Sequence, residues 1–304
     1  MFHDFRYPAI LAASTRAAWQ IDDVISPGAA LDFSRPFLPE NLARTAELDM
    51  LSDAEKLTLN HIRAHEYLCM FGLVEEFILP FLMDHIRPQL PNEDDIAVRA
   101  LLQFAAEEAK HIQLFKRFHT AFVEGFGQGC QVIGPPAAIA REVLSHQPLS
   151  VAMTILMIEW MTQSHYLDSV RGHSELEPLF ANLLRCHWIE ESQHAKLDTL
   201  VVEAMARGRS EEQLRDAVNG MFAIASYLDV GLKTQARYNL NALERAISRK
   251  LGAEDRERFV EQQHQALRWT YLGSGLRHER FRATLGALSV TQLNRIDAAA
   301  PSFC

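Results

Sequence analysis

The sequence contains few cysteines, and none of them is placed to form a structural framework. Its 304 residues include four cysteines, at positions 69, 130, 186 and 304, with no Cys-x-x-Cys spacing. Scattered thiols of this kind are typical of a reducing compartment and argue against a disulfide framework or a cysteine-based zinc cage. The N-terminus also lacks the basic start and apolar run of a signal peptide, so we expect a cytoplasmic location.

Basic residues and long apolar runs are also in short supply. Lys and Arg number 30 against 39 Asp and Glu, which gives a formal net charge of −9, whereas nucleic-acid-binding proteins need a basic face. The richest apolar stretch, 151–161, is too short to span a membrane and is interrupted by Thr154 and Glu159. We therefore expect neither a nucleic-acid partner nor a membrane span.

Strand-like alternation is absent, and the sequence patterns predict an all-α chain. Capping boxes at Ser52-x-x-Glu55, Ser174-x-x-Glu177 and Ser210-x-x-Gln213 mark helix starts. After a mostly irregular segment 1–50 with one short helix near 8–19, the predicted helices cover about 52–87, 92–125, 149–170, 174–208, 210–250 with an interruption at 231, 254–275 and 290–298.

These helices predict one ferritin-like domain over residues 1–304. Residues 52–208 would form a four-helix bundle of two helical hairpins joined by a crossover, and residues 210–304 would add accessory helices. The acidic cluster 92–95 is expected to open the second bundle helix, because negative charge stabilises a helix N-terminus.

A lone glutamate followed at a fixed distance by Glu-x-x-His occurs twice, and the two copies keep a constant offset from each other. The first copy is Glu76, Glu108 and His111, and the second is Glu159, Glu191 and His194. Four carboxylates and two imidazoles on four helices are the donor set with which a helical bundle holds two metal ions.

The predicted helix faces around these residues are otherwise apolar. An ionised carboxylate on such a face costs several kcal/mol unless it is paired or bound to a metal. A single buried Glu-x-x-His is readily explained by a salt bridge, but two copies in register favour a metal site. A third Glu-x-x-His, Glu261 and His264, lies in polar surroundings and is interpreted as a coincidence on a solvated helix.

Each motif contains a glutamate doublet, so the ligand has to be chosen. Glu75 has no counterpart in the second copy, where Ile158 stands at the same offset, so the repeat favours Glu76. Glu107 and Glu190 lie on wetter faces than their neighbours. We therefore interpret all three remaining acids as exposed groups or as groups that support the ligands from behind.

Three further polar residues lie on the same helix faces. His187 stands four residues before Glu191, where the first copy has Phe104; it is either a core histidine or a third imidazole ligand, and we favour the ligand. Asp198, one turn after His194, would either accept a hydrogen bond from a ligand histidine or form a buried salt bridge. His65 is expected to be a rim or core histidine.

The complete order resembles the p-aminobenzoate N-oxygenase family of ferritin-like di-iron oxygenases. The resemblance is carried by a lone Glu, a Glu-x-x-His, a second lone Glu and a His-x-x-x-Glu-x-x-His, namely Glu76, Glu108, His111, Glu159, His187, Glu191 and His194. It implies two non-haem iron ions that activate dioxygen to oxidise a small organic molecule, with aryl amines as substrates of some members.

The sequence leaves several alternatives open. A ferritin-like protein that handles iron without catalysis, a helical protein held by buried salt bridges, and a mixed manganese–iron centre all share parts of the pattern. No flavin or nicotinamide motif is present, so electrons are expected from an external donor. A homodimer is one of the expected assembly states.

Overall fold

The computed structural model describes residues 3–90 and 95–304, and these residues form an α-helical architecture. The α-helices, numbered in chain order, are α1 Tyr7–Ala17, α2 Ile21–Val24, α3 Glu40–Ala43, α4 Asp53–Ile86, α5 Asp95–Phe126, α6 Pro136–Leu144, α7 Pro148–Ser164, α8 Pro178–Ala206, α9 Glu211–Ala246, α10 Ala253–Arg268, α11 Ser274–Arg277, α12 Glu279–Leu288 and α13 Val290–Ala299. π-Helical turns at His165–Val170 and Trp269–Gly273 follow α7 and α10.

Helices α4, α5, α7 and α8 form the predicted bundle. α4 packs against α5, α7 packs against α8, and α5 also touches α8. α1 lies across α5 and α8, while α9 covers α4 and α7 on another side. The crossover between the hairpins contains α6, which packs on α4. The all-α, ferritin-like prediction is therefore confirmed.

Two of the three predicted capping boxes form. Ser52 and Ser210 each accept a hydrogen bond from the backbone three residues later, at Glu55 and Gln213. The box at Ser174 does not form, because α8 begins at Pro178 and the Glu177 side chain accepts from the Phe180 N–H instead. The predicted acidic start of the second bundle helix falls partly on 91–94, outside the described residues.

The predicted and observed helices also differ at one expected interruption and at two short helices. α9 runs through Gly231 without a break, and α6 and α12 were not predicted as separate helices. α6 begins at Pro136, where proline is favourable because the first helical N–H needs no partner within the helix. Within the described ranges, no helix is both long enough and apolar enough to cross a membrane.

The turn after α7 contains a buried histidine, and its hydrogen-bond partners fix which ring nitrogen carries the hydrogen. The Ser274 hydroxyl donates to the Thr270 carbonyl, so its oxygen accepts from His165 Nε2 at 3.1 Å. His165 Nδ1 then accepts from the Tyr67 hydroxyl at 2.8 Å. Burial lowers the pKa of His165 to about 3, and the ring is neutral in the folded chain.

This burial predicts a loss of stability in mild acid. The unfolded chain binds a proton at His165 near pH 6.5, but the folded chain does not, so the contribution is present above that pH and is lost as the pH falls. Between pH 7 and pH 5 the free energy of unfolding should drop by about 2 kcal/mol more in the native chain than in His165→Gln. Denaturant titrations at the two pH values measure the difference.

Tyr67→Phe is the matched control for this comparison. It removes a hydrogen-bond donor to His165 but leaves the ring buried, so the native pH dependence should persist. Equal pH slopes for the native chain and His165→Gln would contradict the assignment.

Candidate metal centre

Seven buried carboxylate and imidazole side chains from the four bundle helices meet in the centre of the bundle. They are Glu75 on α4, Glu108 and His111 on α5, Glu159 on α7, and His187, Glu191 and His194 on α8. None of the seven is more than 3% exposed. Six of them are residues predicted from the sequence, and Glu75 lies where Glu76 was expected.

The potential ligand atoms form two overlapping groups, each with its atoms within 4.8 Å of one another. One group is Glu75, His111, His187 and Glu191, and the other is Glu108, His111, Glu191 and His194. His111 and Glu191 belong to both, so the two groups share side chains at the centre of the bundle. Glu159 lies outside both groups, but it is 2% exposed and close enough to Glu191 for that carboxylate to raise its pKa.

Many of these buried polar atoms have no hydrogen-bond partner. They include both oxygens of Glu108, one oxygen each of Glu75, Glu159 and Glu191, and Nδ1 of His111 and His194. His194 Nδ1 lies 2.8 Å from Glu108 Oε1, and His111 Nδ1 lies 3.0 Å from Glu191 Oε1, yet neither contact has the alignment of a hydrogen bond. Unsatisfied buried charge is costly, so this donor set fits a metal centre and does not fit a set of buried salt bridges.

The two histidines of the Glu-x-x-His motifs are held by glutamates on the opposite helix. His111 Nε2 donates to Glu190 at 2.7 Å, and His194 Nε2 donates to Glu107 at 2.9 Å. Because Nε2 is the donor in both rings, Nδ1 of each ring faces the centre, where a cation could bind it in place of a proton. Histidine ligands in metalloproteins are oriented by hydrogen bonds of this kind.

Glu107 and Glu190 are themselves anchored by polar partners. Ser14 of α1 and Gln103 donate to Glu107, and Lys110 donates to Glu190. Burial alone would raise the pKa of Glu107, but the hydrogen bonds from His194, Gln103 and Ser14 lower it to about 2. Both acids are thus buried supports behind the histidines, and the alternative that they are solvent-exposed is wrong.

Aromatic rings close the centre on two sides and differ between its halves. Phe104 stacks on His194 with ring centroids 4.0 Å apart, whereas its sequence counterpart His187 meets His111 edge-on at 4.8 Å. The Trp19 ring stacks on His111 at 5.7 Å and donates to the Cys186 carbonyl. His187 Nε2 lies 3.1 Å from Glu75 Oε1 and 3.0 Å from Glu191 Oε1, so this third imidazole lies among the candidate ligands.

The pKa shifts reflect the crowding of negative charge. Burial, with Glu191 and Glu75 nearby, raises the pKa of Glu108 to about 7. Burial and the neighbouring Glu191 also raise the pKa of Glu159 well above its usual value. The raised pKa values favour the protonated form of these carboxyl groups, so a metal ion would compete with protons for them.

The choice of Glu76 does not agree with the geometry. Glu76 is only partly buried and lies outside both ligand groups, while Glu75 is 2% exposed. The face of Glu75 carries Phe71 and Ile78, at 4% and 1% exposure. The side chains three and four positions from each glutamate were therefore a better guide to the buried one than the constant offset between the two copies.

Asp198 and the third Glu-x-x-His also have defined environments. Asp198 is 1% exposed, and its Oδ2 has no hydrogen-bond partner. Among the described residues it forms no ion pair. Nε2 of His111 and of His194 donates to Glu190 and to Glu107 instead. Neither predicted role of Asp198 is realised. His264 pairs with Asp229 at 2.8 Å and lies outside both ligand groups.

The sequence matches the family profile described as P-aminobenzoate N-oxygenase AurF over residues 11–269. The chain belongs to the p-aminobenzoate N-oxygenase family. Membership in this family makes it a non-haem di-iron oxygenase, as the repeat and the resemblance predicted. The alternative of a non-catalytic iron-handling protein is not favoured.

Solved structures similar to this N-oxygenase family member include R2-like ligand-binding oxidases with Mn/Fe cofactors. One, with an aerobically reconstituted cofactor, has 14% identity and a TM-score of 0.41, covering 89% of this chain and 98% of that chain. A point mutant with an anaerobically reconstituted cofactor has 13% identity and a TM-score of 0.45, covering 87% and 93%. These likenesses concern the fold alone. A search of curated proteins found no match.

Glu107 and Glu190 hold the two histidines but are not ligands themselves. Substituting either one should therefore change the metal affinity without removing a ligand. Glu107→Gln and Glu190→Gln each replace the carboxyl acceptor behind a histidine with an amide, and such changes typically weaken metal binding about 10–100-fold. Competition with a chromophoric chelator measures the affinity for Fe²⁺. The exposed Glu124 on α5 provides the control Glu124→Gln, and unchanged affinity in all three variants would contradict the supporting role.

Proposed function

We propose that the chain uses dioxygen to oxidise the amino nitrogen of a small aromatic amine. The family name supplies the reaction class, and an apolar pocket next to the buried ligand cluster carries the proposal. In the first oxidation, R–NH₂, O₂, two electrons and two protons give R–NHOH and water. The electrons come from an external donor protein, as expected from the lack of a nucleotide-cofactor motif.

Seven residues are proposed to hold the two iron ions. They are Glu75, Glu108, His111, Glu159, His187, Glu191 and His194. When bound, the ions supply the activation of dioxygen. The chain supplies oriented histidines, through Glu107 and Glu190, and a centre from which bulk water is excluded by the surrounding buried side chains.

The apolar pocket lies between α4, α7 and α9. It is lined by Met70, Phe71, Leu73, Val74, Ile158, Met161, Leu228, Leu232 and Tyr271. Phe71 meets His187 edge-on, with ring centroids 5.2 Å apart, so the pocket adjoins the ligand cluster. Its aromatic and aliphatic walls match an apolar ring in chemistry. Its volume is ≈ 30 Å³, so the lining side chains must move apart to admit an aryl amine.

The neighbouring glutamates Glu75 and Glu76 on α4 allow a direct test of which of them is the metal ligand. Glu75→Gln should lower the iron content of the reconstituted protein, because it removes a carboxylate that faces His111 and His187. Glu76→Gln is the matched control and should bind iron as the native chain does. Metal analysis after desalting gives the answer, and it also distinguishes a pure iron centre from a mixed manganese–iron centre.

The opposite result would restore the assignment made from the repeat. Iron loss in Glu76→Gln with full occupancy in Glu75→Gln would show that Glu76 is the ligand. Full occupancy in both variants would remove α4 from the metal centre altogether.

The substrate class is tested by oxygen incorporation. The iron-loaded full chain, supplied with ¹⁸O₂, a chemical reductant and p-aminobenzoate, should yield a hydroxylamine or nitro product that carries the label. Val74→Phe narrows the pocket and should reduce turnover without changing iron content, whereas Val230→Phe, at a position 71% exposed, should not. Iron binding with dioxygen consumption but no labelled product from several aryl amines would contradict the substrate class.

Three properties remain predictions from the sequence. They are the external electron donor, the homodimeric assembly and the cytoplasmic location. A pull-down of reductases, a native mass measurement and cell fractionation address them one by one.

A further inference from the structure

A second cluster of metal-binding side chains lies on the α4–α5 seam, away from the candidate di-iron centre. His65 Nε2 is 2.8 Å from His119 Nδ1, and Cys69 Sγ is 3.7 Å and 3.8 Å from the same two atoms. His65 and Cys69 are one turn apart on α4 and share a face, and His119 comes from α5. We propose that His65, Cys69 and His119 form a mononuclear site for a thiophilic divalent cation of the Zn²⁺ type.

The cluster is separate from the ligands described above. His65 lies ten residues before Glu75, a distance of about 15 Å along a helix. Phe115 fills the space between the two clusters, since its ring lies 3.6 Å from the position of a Cβ on Gly72 and 5.1 Å from the His187 ring. Among the described residues, no candidate ligand group contains side chains from both clusters.

The spacing of the three donor atoms fits tetrahedral coordination. With Zn–N near 2.0 Å and Zn–S near 2.3 Å, tetrahedral ligands are about 3.3–3.6 Å apart. The two sulfur–nitrogen separations are within a few tenths of an ångström of this range. The nitrogen–nitrogen separation is shorter because the two imidazoles share a hydrogen bond, and an ion would take the place of that proton.

The donors have the chemistry and the access that a metal requires. Thiolate and neutral imidazole are preferred zinc ligands, and burial lowers the pKa of His65 to about 3, so this ring is neutral. His65 is fully buried against Phe122, with ring centroids 4.6 Å apart. Cys69 is partly exposed and His119 is exposed, which leaves an entry path and a fourth position for water.

Co²⁺ is a suitable probe because it distinguishes the two clusters in the same protein. Only a thiolate ligand gives a sulfur-to-cobalt charge-transfer band, and the candidate di-iron centre contains no sulfur. The chelator-treated full chain should develop this band with saturating Co²⁺, to the intensity of one thiolate ligand per chain, and Zn²⁺ should abolish it. Cys69→Ser should eliminate the band, and His119→Ala should weaken Co²⁺ binding by about tenfold or more.

Two controls separate this site from other thiols and from the proposed oxygenase centre. Cys130→Ser, which alters another partly buried thiol, should keep the band, and so should Glu191→Ala, even if that variant binds no iron. Absence of the band in the native chain, or its persistence in Cys69→Ser, would overturn the proposal. Far-ultraviolet circular dichroism of each variant ensures that a lost band is not a loss of fold.

Discussion

The centre of this molecule depends on two hydrogen bonds that cross between α5 and α8. His111 donates to Glu190, and His194 donates to Glu107. Each bond fixes a tautomer and turns Nδ1 toward the buried carboxylates, where a cation can use it. α5 and α8 each supply a candidate ligand histidine and the glutamate that holds the histidine of the other helix. Both histidines are therefore oriented only when the two helices are aligned in register.

This reciprocity explains why the acidic residue before each ligand glutamate is also buried. Glu107 and Glu190 precede Glu108 and Glu191, so they point to a neighbouring face of the same helix. That face is covered by α1, whose Ser14 donates to Glu107, and by Trp19, which stacks on His111. The N-terminal segment is therefore part of the metal centre, although it contributes no ligand.

Much of the fold and most of the centre could be predicted from the sequence because the signals are local. Capping residues, apolar periodicity and the repeated Glu-x-x-His each act within one helix. Glu75 could not be chosen from the constant offset between the copies, because a repeat in sequence does not force two helices to rotate identically about their axes. The larger apolar neighbours of Glu75, Phe71 and Ile78, did contain that information. Ser14 and Trp19 could not be found this way, since their contacts exist only after α1 folds onto α5 and α8.

The departure from symmetry at His187 and Phe104 gives the two halves of the centre different surroundings. On one side Phe104 stacks on His194, and this apolar ring adds no donor. On the other side His187 adds an imidazole, and the edge of Phe71 connects it to the apolar pocket. Substrate would thus approach the centre from the side on which His187 takes the place of the apolar Phe104 ring.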